Sequence, residues 1–410
     1  MKQFVSLITA IVFAAAPQLD ASAAAKHPPS KAKIVKAKAA KAGKPAKGKA
    51  GKSVAQSKAP KAPKGRKALA AAAAVAAVAA TSSIDYDGEQ VNFAEWQAVR
   101  EFISEMVIKH DFDRAVLEAQ LRQVRFVDSA VQLVKPAPPG KPKNWQAYSG
   151  RFIEPIRINA GLRFWNENAA ALARAEATYG VPAEIIVGII GVETIYGRDT
   201  GRFRVLDTLT TLAFAYPEAP NKAARSIFFR AELENAFLLA RHENIDPFTL
   251  LGSFAGAVGM PQFMPGNILK YGVDFDGDGH IDLRGSTADA IGSVANFLIE
   301  HGWNPRDAGP HAIRVDVAAH RAWEPLLERG LAATLRTDEL AAAGVVPATP
   351  LAADRLYGLV DLQNGAEATE YWVANDNFFA ITKYNRSYFY AMSVIDLGRA
   401  VRAARAGQTL

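Results

Sequence analysis

The strongest candidate for chemistry in this 410-residue sequence is a single glutamate, Glu193. Isoleucines stand three, four and seven residues before it, so a helix from Pro182 to Tyr196 would place the carboxyl on an apolar face. Burial disfavours the ionised form of a carboxyl, raises its pKa and keeps it protonated near neutral pH, as a general acid requires. A structural glutamate paired with a nearby arginine such as Arg198 is the alternative, and the helix alone favours it.

A glycine-rich stretch from Gly252 to Pro265 is the second candidate site. Its three glycines stand among small residues, which lets another chain or a ligand approach the backbone closely. Ser253 and Gln262 would then supply hydrogen bonds to a polar substrate and to the catalytic carboxyl. A tight packing element between a helix and a loop is the alternative interpretation.

An acidic segment that begins at Asp274 has the spacing of an EF-hand calcium loop. Carboxylates occupy loop positions 1, 3, 5 and 9, which are Asp274, Asp276, Asp278 and Asp282. A glycine fills position 6, and His280 would offer its backbone carbonyl at position 7. Hard oxygen ligands favour calcium over zinc, but Gly285 stands at position 12 in place of the usual bidentate glutamate. An acidic turn without metal is the alternative.

These candidates require a mainly helical scaffold, which the hydrophobic periodicity predicts from residue 92 to about residue 303. Apolar residues recur at helical spacing from Phe93 to Met106. Further helices are predicted over Asp113–Arg125, Ile158–Tyr179, Pro182–Tyr196, Arg225–His242 and Thr287–His301. Two later segments have the composition of short strands, Arg355–Leu362 and Tyr371–Val373, and Phe378–Val401 is aromatic and then helical.

The N-terminus has the order of features of a secretory signal. Lys2 precedes an apolar run from Phe4 to Ala16, and Ala21-Ser22-Ala23 offers a small-residue cleavage site. Because the chain has no cysteine, a disulfide framework, thiol catalysis and lipid attachment at a cysteine are all excluded. We therefore expect an exported, periplasmic protein that is not lipid-anchored.

The net charge of +7 is concentrated in one tail. Residues 21–84 hold 14 lysines, one arginine and no acidic residue, so the remainder of the chain is acidic. Repetition of Lys, Ala, Pro and Gly without aromatic residues predicts a disordered linker. It would act as an electrostatic tether to anionic envelope polymers or as a solvated spacer, and a signal peptide argues against nucleic acid as its partner.

Several motifs in a fixed order resemble the lytic murein transglycosylase B family. The resemblance extends from about Asn92 to the C-terminal helix. The motifs are Gly191-Val192-Glu193-Thr194 with Tyr196-Gly197, the run from Gly252 to Gly259, Gln262-Phe263-Met264-Pro265, and the run from Asp289 to Asn296. The resemblance implies a lysozyme-like helical core that cleaves the MurNAc-GlcNAc β-1,4 bond of peptidoglycan and leaves a 1,6-anhydro-MurNAc end.

The resemblance also implies roles for individual residues. Glu193 would be the acid and then the base, with Ser253 and Gln262 in the cleft beside it. Tyr384, Asn385 and Tyr390 match a sugar-binding stretch. Arg225 matches a basic residue that would meet a peptide-stem carboxylate, although Ala224 stands where the family often has a second arginine. Asp289 would close the lengthened calcium loop, and the ion would be structural.

The resemblance and the motifs leave three functions to weigh. Typical glycosidases use two carboxylates, and the Glu193 motif holds only Asp199 besides, which suits a capping or solvated position. The chemistry therefore favours a transglycosylase that uses the substrate's own acetamido and C6 hydroxyl groups. A hydrolytic muramidase and an inactive, calcium-stabilised peptidoglycan-binding protein are the alternatives. We expect a monomer that binds peptidoglycan glycan strands.

The expected domain organisation follows from these segments. A mainly α fold would comprise a lysozyme-like helical core, an N-terminal helical domain and a small β-containing insertion. The segments are a signal peptide at 1–25, a linker at 26–84, an N-terminal helical region at 85–160, a catalytic core with the EF-hand-like loop at 161–304, a small α/β insertion at 305–375 and a C-terminal segment at 376–410 that completes the core.

Overall fold

A computed structural model describes residues 88–89, 92–136 and 142–407. The predicted signal peptide at 1–25 and the predicted linker at 26–84 lie outside the described residues. Within the described ranges the chain is mainly helical, which confirms the predicted class.

Fifteen α-helices form most of the described structure. The first seven are α1 Gln97–His110, α2 Arg114–Leu121, α3 Asp128–Leu133, α4 Trp145–Ser149, α5 Pro155–Glu167, α6 Ala169–Tyr179 and α7 Ala183–Thr194. The next four are α8 Val205–Phe214, α9 Lys222–His242, α10 Pro265–Tyr271 and α11 Thr287–Glu300. The last four are α12 Glu324–Leu327, α13 Thr337–Ala342, α14 Asp376–Tyr384 and α15 Tyr388–Arg405.

Two differences from the predicted helices have local causes. The helix expected over Ile158–Tyr179 is broken at Asn168, whose side-chain amide donates to the carbonyl of Phe164 at 2.9 Å and so competes with the helical backbone. Helix α8 was not predicted, because Asp207 and three threonines, which have low helix propensity, stand between its apolar residues. In the structure nine of its ten residues are buried, and these polar residues are among them.

The N-terminal helices are attached to the rest of the core by a buried ion pair. Arg204 Nε lies 2.8 Å from a carboxylate oxygen of Asp207, and both side chains are almost fully buried. The other carboxylate oxygen of Asp207 accepts from the backbone N–H of Arg125 at 3.2 Å, and Thr211 accepts from the N–H of Val127 at 3.1 Å. The buried side chains of α1 and α2 belong to the same hydrophobic core as α7, α8 and α9.

Eight short strands complete the fold. They are β1 Gly88–Glu89, β2 Phe126–Val127, β3 Phe203–Arg204, β4 Leu251–Gly252, β5 Ala312–Val317, β6 Val345–Pro347, β7 Gly358–Asn364 and β8 Glu367–Ala374. The last four form an antiparallel sheet in the order β6-β5-β8-β7, with Val315 opposite both Pro347 and Tyr371. A second, smaller hydrophobic core lies against this sheet and includes Trp323 and Leu340. The sheet therefore stands in the segment where the sequence predicts strands.

Helices α7 and α15 pack at unusually close range, and this contact positions the candidate site. A Cβ added to Gly188 would lie 2.2 Å from the carbonyl oxygen of Val394, and one added to Gly398 would lie 2.2 Å from that of Glu184. Only glycine allows the two backbones to approach this closely. The start of α15 is therefore fixed against the end of α7.

In the described part of the chain, no single helix is long and apolar enough to cross a membrane. The pair α6 and α7 reaches that length and composition together, but it is bent by 117°.

Candidate active site and acidic loop

Glu193 is the penultimate residue of α7, and the backbone turns sharply after it. Ile195 and Tyr196 both adopt left-handed conformations, with φ of 52° and 58°, and they end the helix directly behind the carboxyl. The Thr194 hydroxyl donates to the carbonyl of Met260 at 2.8 Å and so attaches this helix end to the glycine-rich stretch. The two sequence motifs are therefore adjacent in the fold.

The carboxyl of Glu193 is held by one tyrosine. The hydroxyl of Tyr390 donates to Glu193 Oε1 at 2.6 Å, and the Tyr390 side chain is fully buried. Burial raises the pKa of Glu193 to about 7, and the hydrogen bond from Tyr390 opposes that rise. The ring of Tyr384 stacks on that of Tyr390 with 6.2 Å between centroids. A desolvated carboxyl of this kind is protonated below neutral pH.

A cavity opens beside this carboxyl. Its walls are formed by Glu193, Gln262, Phe263, Asn267, Phe297, Tyr384 and Asn385. Among these described residues, Glu193 is the only carboxylic acid, and the others are aromatic rings and amides. The cavity thus combines one proton donor with apolar surface and neutral hydrogen-bonding groups. The described structure shows no ion pair between Glu193 and Arg198, the alternative that the sequence left open.

Three residues predicted from the sequence meet Glu193 at this cavity: Gln262, Tyr384 and Asn385. Gln262 has a left-handed backbone, and its side-chain nitrogen donates to the carbonyls of Thr200 at 3.2 Å and Gly259 at 2.9 Å. The Tyr384 hydroxyl donates to the carbonyl of Pro261. In the described structure both side chains bond backbone atoms of the cleft wall, and Tyr390 bonds the carboxyl where Gln262 was expected to do so.

Ser253 and Arg225 are not brought to this cavity. Ser253 Oγ accepts from the N–H of Ala257 at 3.1 Å and stabilises the turn of the glycine-rich stretch. Arg225 is 6% exposed, and its guanidinium carbon lies 5.1 Å from the centroid of the Phe229 ring. Tyr390 also differs from its expected role, because a fully buried side chain has no surface for a sugar and instead positions Glu193.

Arg157 is a residue of the site that sequence reasoning did not identify. Its Nη1 donates to the carbonyls of Gly191 and Val192, at 3.3 Å for Val192. These carbonyls belong to the last turn of α7, where a cation opposes the negative end of the helix dipole. Arg157 and Gly191 are separated by 34 positions in the sequence, and no local pattern links them, because the contact exists only where α5 packs against α7.

The acidic loop between α10 and α11 brings three of its predicted ligands together. Carboxylate oxygens of Asp274, Asp276 and Asp289 all lie within 4.8 Å of one another. Asp289 lies in the first turn of α11, and its Oδ1 accepts from the N–H of Phe275 at 2.8 Å. Its Oδ2 accepts from the N–H of Asp282 at 2.9 Å. The aspartate beyond the ordinary loop end is therefore the one that folds back over the loop.

The remaining predicted ligands lie outside this carboxylate group. Asp278 accepts from the N–H of His280 at 2.8 Å, and Asp282 accepts from the N–H of Gly285 at 2.8 Å. The His280 ring lies 3.2 Å from Glu243 at the end of α9. These side chains are bonded within the loop or to its neighbour, whereas three carboxylates converge on one point.

The backbone of the loop fits a calcium site in two respects. Gly277 and Gly279 have φ of 85° and 96°, which strongly favours glycine. The converging donors are all carboxylate oxygens, the ligands that calcium prefers. The loop is therefore compatible with a hard divalent cation.

Comparison with known proteins identifies the family. The model of the transglycosylase SLT domain matches residues 94–399. The membrane-bound lytic murein transglycosylase B of Escherichia coli K12 is 44% identical over 323 residues, which is 77% of this chain and 85% of that protein.

Two solved structures have the same fold. A catenated form of the lytic transglycosylase SltB1 from Pseudomonas aeruginosa is 42% identical, with a TM-score of 0.70 over 76% of this chain and 99% of that one. The Escherichia coli lytic transglycosylase Slt35 in complex with calcium is 43% identical, with a TM-score of 0.69 over 78% of this chain and 97% of that one. The resemblance inferred from the motifs and the lysozyme-like fold class are confirmed. The chain belongs to the transglycosylase SLT domain family and is a peptidoglycan lytic transglycosylase.

Proposed function

We propose that Glu193 is the single acid/base of this lytic transglycosylase and that its product carries a 1,6-anhydro-MurNAc end. One observation carries the proposal: a half-buried carboxyl, with a pKa raised to about 7, is the only carboxylic acid among the described residues that line the cavity. Such a group is protonated in the resting site and can accept a proton once it is ionised.

The reaction needs two proton transfers through this carboxyl. Glu193 first donates its proton to the glycosidic oxygen, so that the bond from that oxygen to C1 of MurNAc breaks and the leaving sugar departs as an alcohol. The resulting carboxylate then removes the proton from the C6 hydroxyl, whose oxygen bonds to C1 and closes the anhydro ring. The glutamate ends protonated, as it began. The substrate's acetamido group is well suited to stabilise the positive charge at C1 between these steps.

Tyr390 supports both steps as a positioning residue. Its hydroxyl fixes one carboxylate oxygen of Glu193, which leaves the other oxygen available to the substrate. It also stabilises the ionised form that exists between the two proton transfers, because a hydrogen bond to the charged form lowers the pKa. Burial and this hydrogen bond act in opposite directions, which suits a group that must give and then take a proton.

Hydrolysis is the competing reaction. An inverting or retaining glycosidase needs a second carboxylate, either as base for water or as nucleophile. The described cavity offers amides and aromatic rings opposite Glu193, which supports closure by the substrate's own hydroxyl.

Mass spectrometry of the muropeptides released from purified peptidoglycan separates the two outcomes. We expect anhydro ends, and products that end in reducing MurNAc would overturn the proposal.

We also propose that Asp274, Asp276 and Asp289 hold a structural calcium ion, with Asp278, Asp282 and the carbonyl of His280 completing the shell. Support comes from the converging carboxylates and from the calcium bound by the similar Escherichia coli Slt35. Calcium in this loop would join the start of α11 to the end of α10 and stabilise the fold. The acid for the reaction is already supplied by Glu193.

The location of the protein and its outer segments remain proposals of the same kind. We propose export to the periplasm without a lipid anchor, cleavage near residue 25, and a basic tail at 26–84 that binds anionic envelope polymers. For the rest of the chain we propose the domain boundaries expected from the sequence, at 85–160, 161–304, 305–375 and 376–410. N-terminal sequencing of the protein from a periplasmic fraction tests export, and an intact Met1 would contradict it.

A further inference from the structure

An aromatic cluster lies next to Tyr390, the residue that bonds the catalytic carboxyl. The Tyr148 ring lies 5.2 Å from that of Phe152 and 5.4 Å from that of Phe389, centroid to centroid. Trp145 lies 5.4 Å from Phe389 and completes the cluster. Phe389 directly precedes Tyr390, the residue that bonds Glu193, so the cluster adjoins the site through the first turn of α15.

Tyr148 is close enough to Glu193 to respond to its charge. Burial raises the pKa of Tyr148 to about 12, Arg151 opposes the rise, and Glu193 adds to it. The Tyr148 side chain is partly exposed and is not sealed in the core. A group held on this ring stands within electrostatic reach of the reaction centre.

Arg151 is held on the Tyr148 ring. Its guanidinium carbon lies 4.5 Å from the ring centroid of Tyr148 and 5.8 Å from that of Phe152. Its Nε donates to the carbonyl of Tyr148 at 3.4 Å, whereas its two terminal nitrogens have no acceptor among the described residues. The side chain is exposed and forms no ion pair within the described ranges. Stacking on the ring thus orients a guanidinium group whose terminal N–H donors remain available to a ligand.

Two other arginines, Arg157 and Arg225, have environments that differ from that of Arg151. The Nη1 of Arg157 already donates hydrogen bonds to backbone carbonyls of α7. Arg225, which the sequence offered for an anionic part of the substrate, is buried against phenylalanine rings. Arg151 combines exposure, an oriented fork and proximity to the site. A planar, bidentate donor of this kind is suited to carboxylates.

We propose that Arg151 binds a carboxylate of the peptidoglycan substrate beside this aromatic cluster and thereby favours anionic strands. The inference rests on the proposed function of the Glu193 site. Peptidoglycan offers carboxylates from two sources: the peptide stems, and the lactyl group of MurNAc where a stem is missing. Both present the same chemistry to a guanidinium. An exposed ion pair of this kind changes KM by about two- to fivefold and weakens as salt is raised.

The test compares two proteins on matched substrates. Wild type and Arg151→Gln are assayed in full-length form on native strands and on strands whose carboxylates have been converted to amides. We expect KM on native strands to rise about two- to fivefold in the variant, and amidation to raise the wild-type KM by a similar factor. The variant should be indifferent to amidation, because the interaction is already lost. Strands stripped of peptide, on which only lactyl carboxylates remain, identify which source is bound.

Controls separate this proposal from changes in net charge and from failure of the catalytic assignment. Arg122→Gln, at an exposed residue directly after α2, removes the same charge and should leave the response to amidation intact. If Arg151→Gln and wild type respond equally to amidation, Arg151 does not bind the carboxylate. That outcome leaves anhydro product formation by the wild type unaffected, whereas loss of anhydro ends in the wild type would instead contradict the role of Glu193.

Discussion

Two groups of carboxyls in this protein have opposite environments. Glu193 stands alone against aromatic rings, and burial raises its pKa to about 7. Asp274 lies in a solvated loop, where the N–H groups of Gly279, Gly277 and Asp278 hold its pKa below the usual range. The same functional group is prepared to carry a proton in one place and a permanent negative charge in the other.

The difference explains why one region suits acid chemistry and the other suits a cation. A carboxyl without nearby cations and with little water is stable when protonated, so it can donate. Asp274 accepts several backbone N–H bonds that favour its ionised form, and its carboxylate converges with those of Asp276 and Asp289, where like charges repel. A divalent cation relieves that repulsion. Environment, more than residue type, separates the two roles.

Removal of the carboxyl at the first site should have the largest effect. Glu193→Gln retains the shape and an acceptor for Tyr390 but cannot donate a proton, so release of anhydro muropeptides should fall by about 100- to 10,000-fold. The matched control is Glu184→Gln on the same helix, which pairs with Arg402 and should retain activity. If Glu193→Gln still cleared cell walls, the buried carboxyl would not be the acid of the reaction, and the two carboxyl environments would not differ in function.

The pH dependence tests the environment of Glu193 directly. Its pKa is raised in the folded state, so the proton-donating form is present below about pH 7 and is lost as pH rises through that value. We expect kcat/KM to fall about tenfold per pH unit above 7. By the same linkage, burial of the ionised form destabilises the fold above that pH, and Glu193→Gln should be relatively more stable there. A basic limb below pH 5, near the usual range of a glutamate, would contradict the role of burial.

Tyr390→Phe sharpens the comparison by removing the one hydrogen bond that opposes burial. We expect kcat to fall by about tenfold, because a bond to a charged group is lost. The basic limb should move to higher pH, since this bond lowers the pKa of Glu193. Tyr388→Phe removes a hydroxyl bonded to the Gly330 carbonyl and serves as the control in the same helix. If Tyr390 had only a structural role, the pH at which activity falls on the basic side would be the same in Tyr390→Phe and in the wild type.

The smallest effect is expected at the acidic loop. Calcium at one hundred times its dissociation constant should stabilise the fold by about 2.7 kcal/mol, which corresponds to about 4 °C in melting temperature for a fold of this size. Asp289→Asn should abolish this calcium-dependent rise, whereas Asp316→Asn, an exposed strand position, should preserve it. Thermal unfolding with calcium and with chelator provides the measurement. An equal response of wild type and Asp289→Asn would remove Asp289 from the ligand set.

Sequence reasoning succeeded where a pattern is local. The spacing of isoleucines predicted the helix that carries Glu193, and α7 ends within two residues of the predicted bound. The order of acids and glycines predicted the loop, including the unusual distance to Asp289. It did not detect α8, because Asp207 and three threonines give that segment low helix propensity, and it merged α5 with α6 across Asn168.

Long-range contacts separate what the sequence determines from what only the tertiary structure decides. The chain alone determined a mainly helical class, one outstanding glutamate and an acidic loop, because helical periodicity and loop spacing are properties of neighbouring residues. Only the tertiary structure shows that Tyr390 is the partner of Glu193, that Arg225 is buried away from the cavity, and that Arg151 stacks on Tyr148. Tyr390 and Glu193 lie far apart in the chain, and burial, which sets the pKa of Glu193, exists only after α7 and α15 have packed.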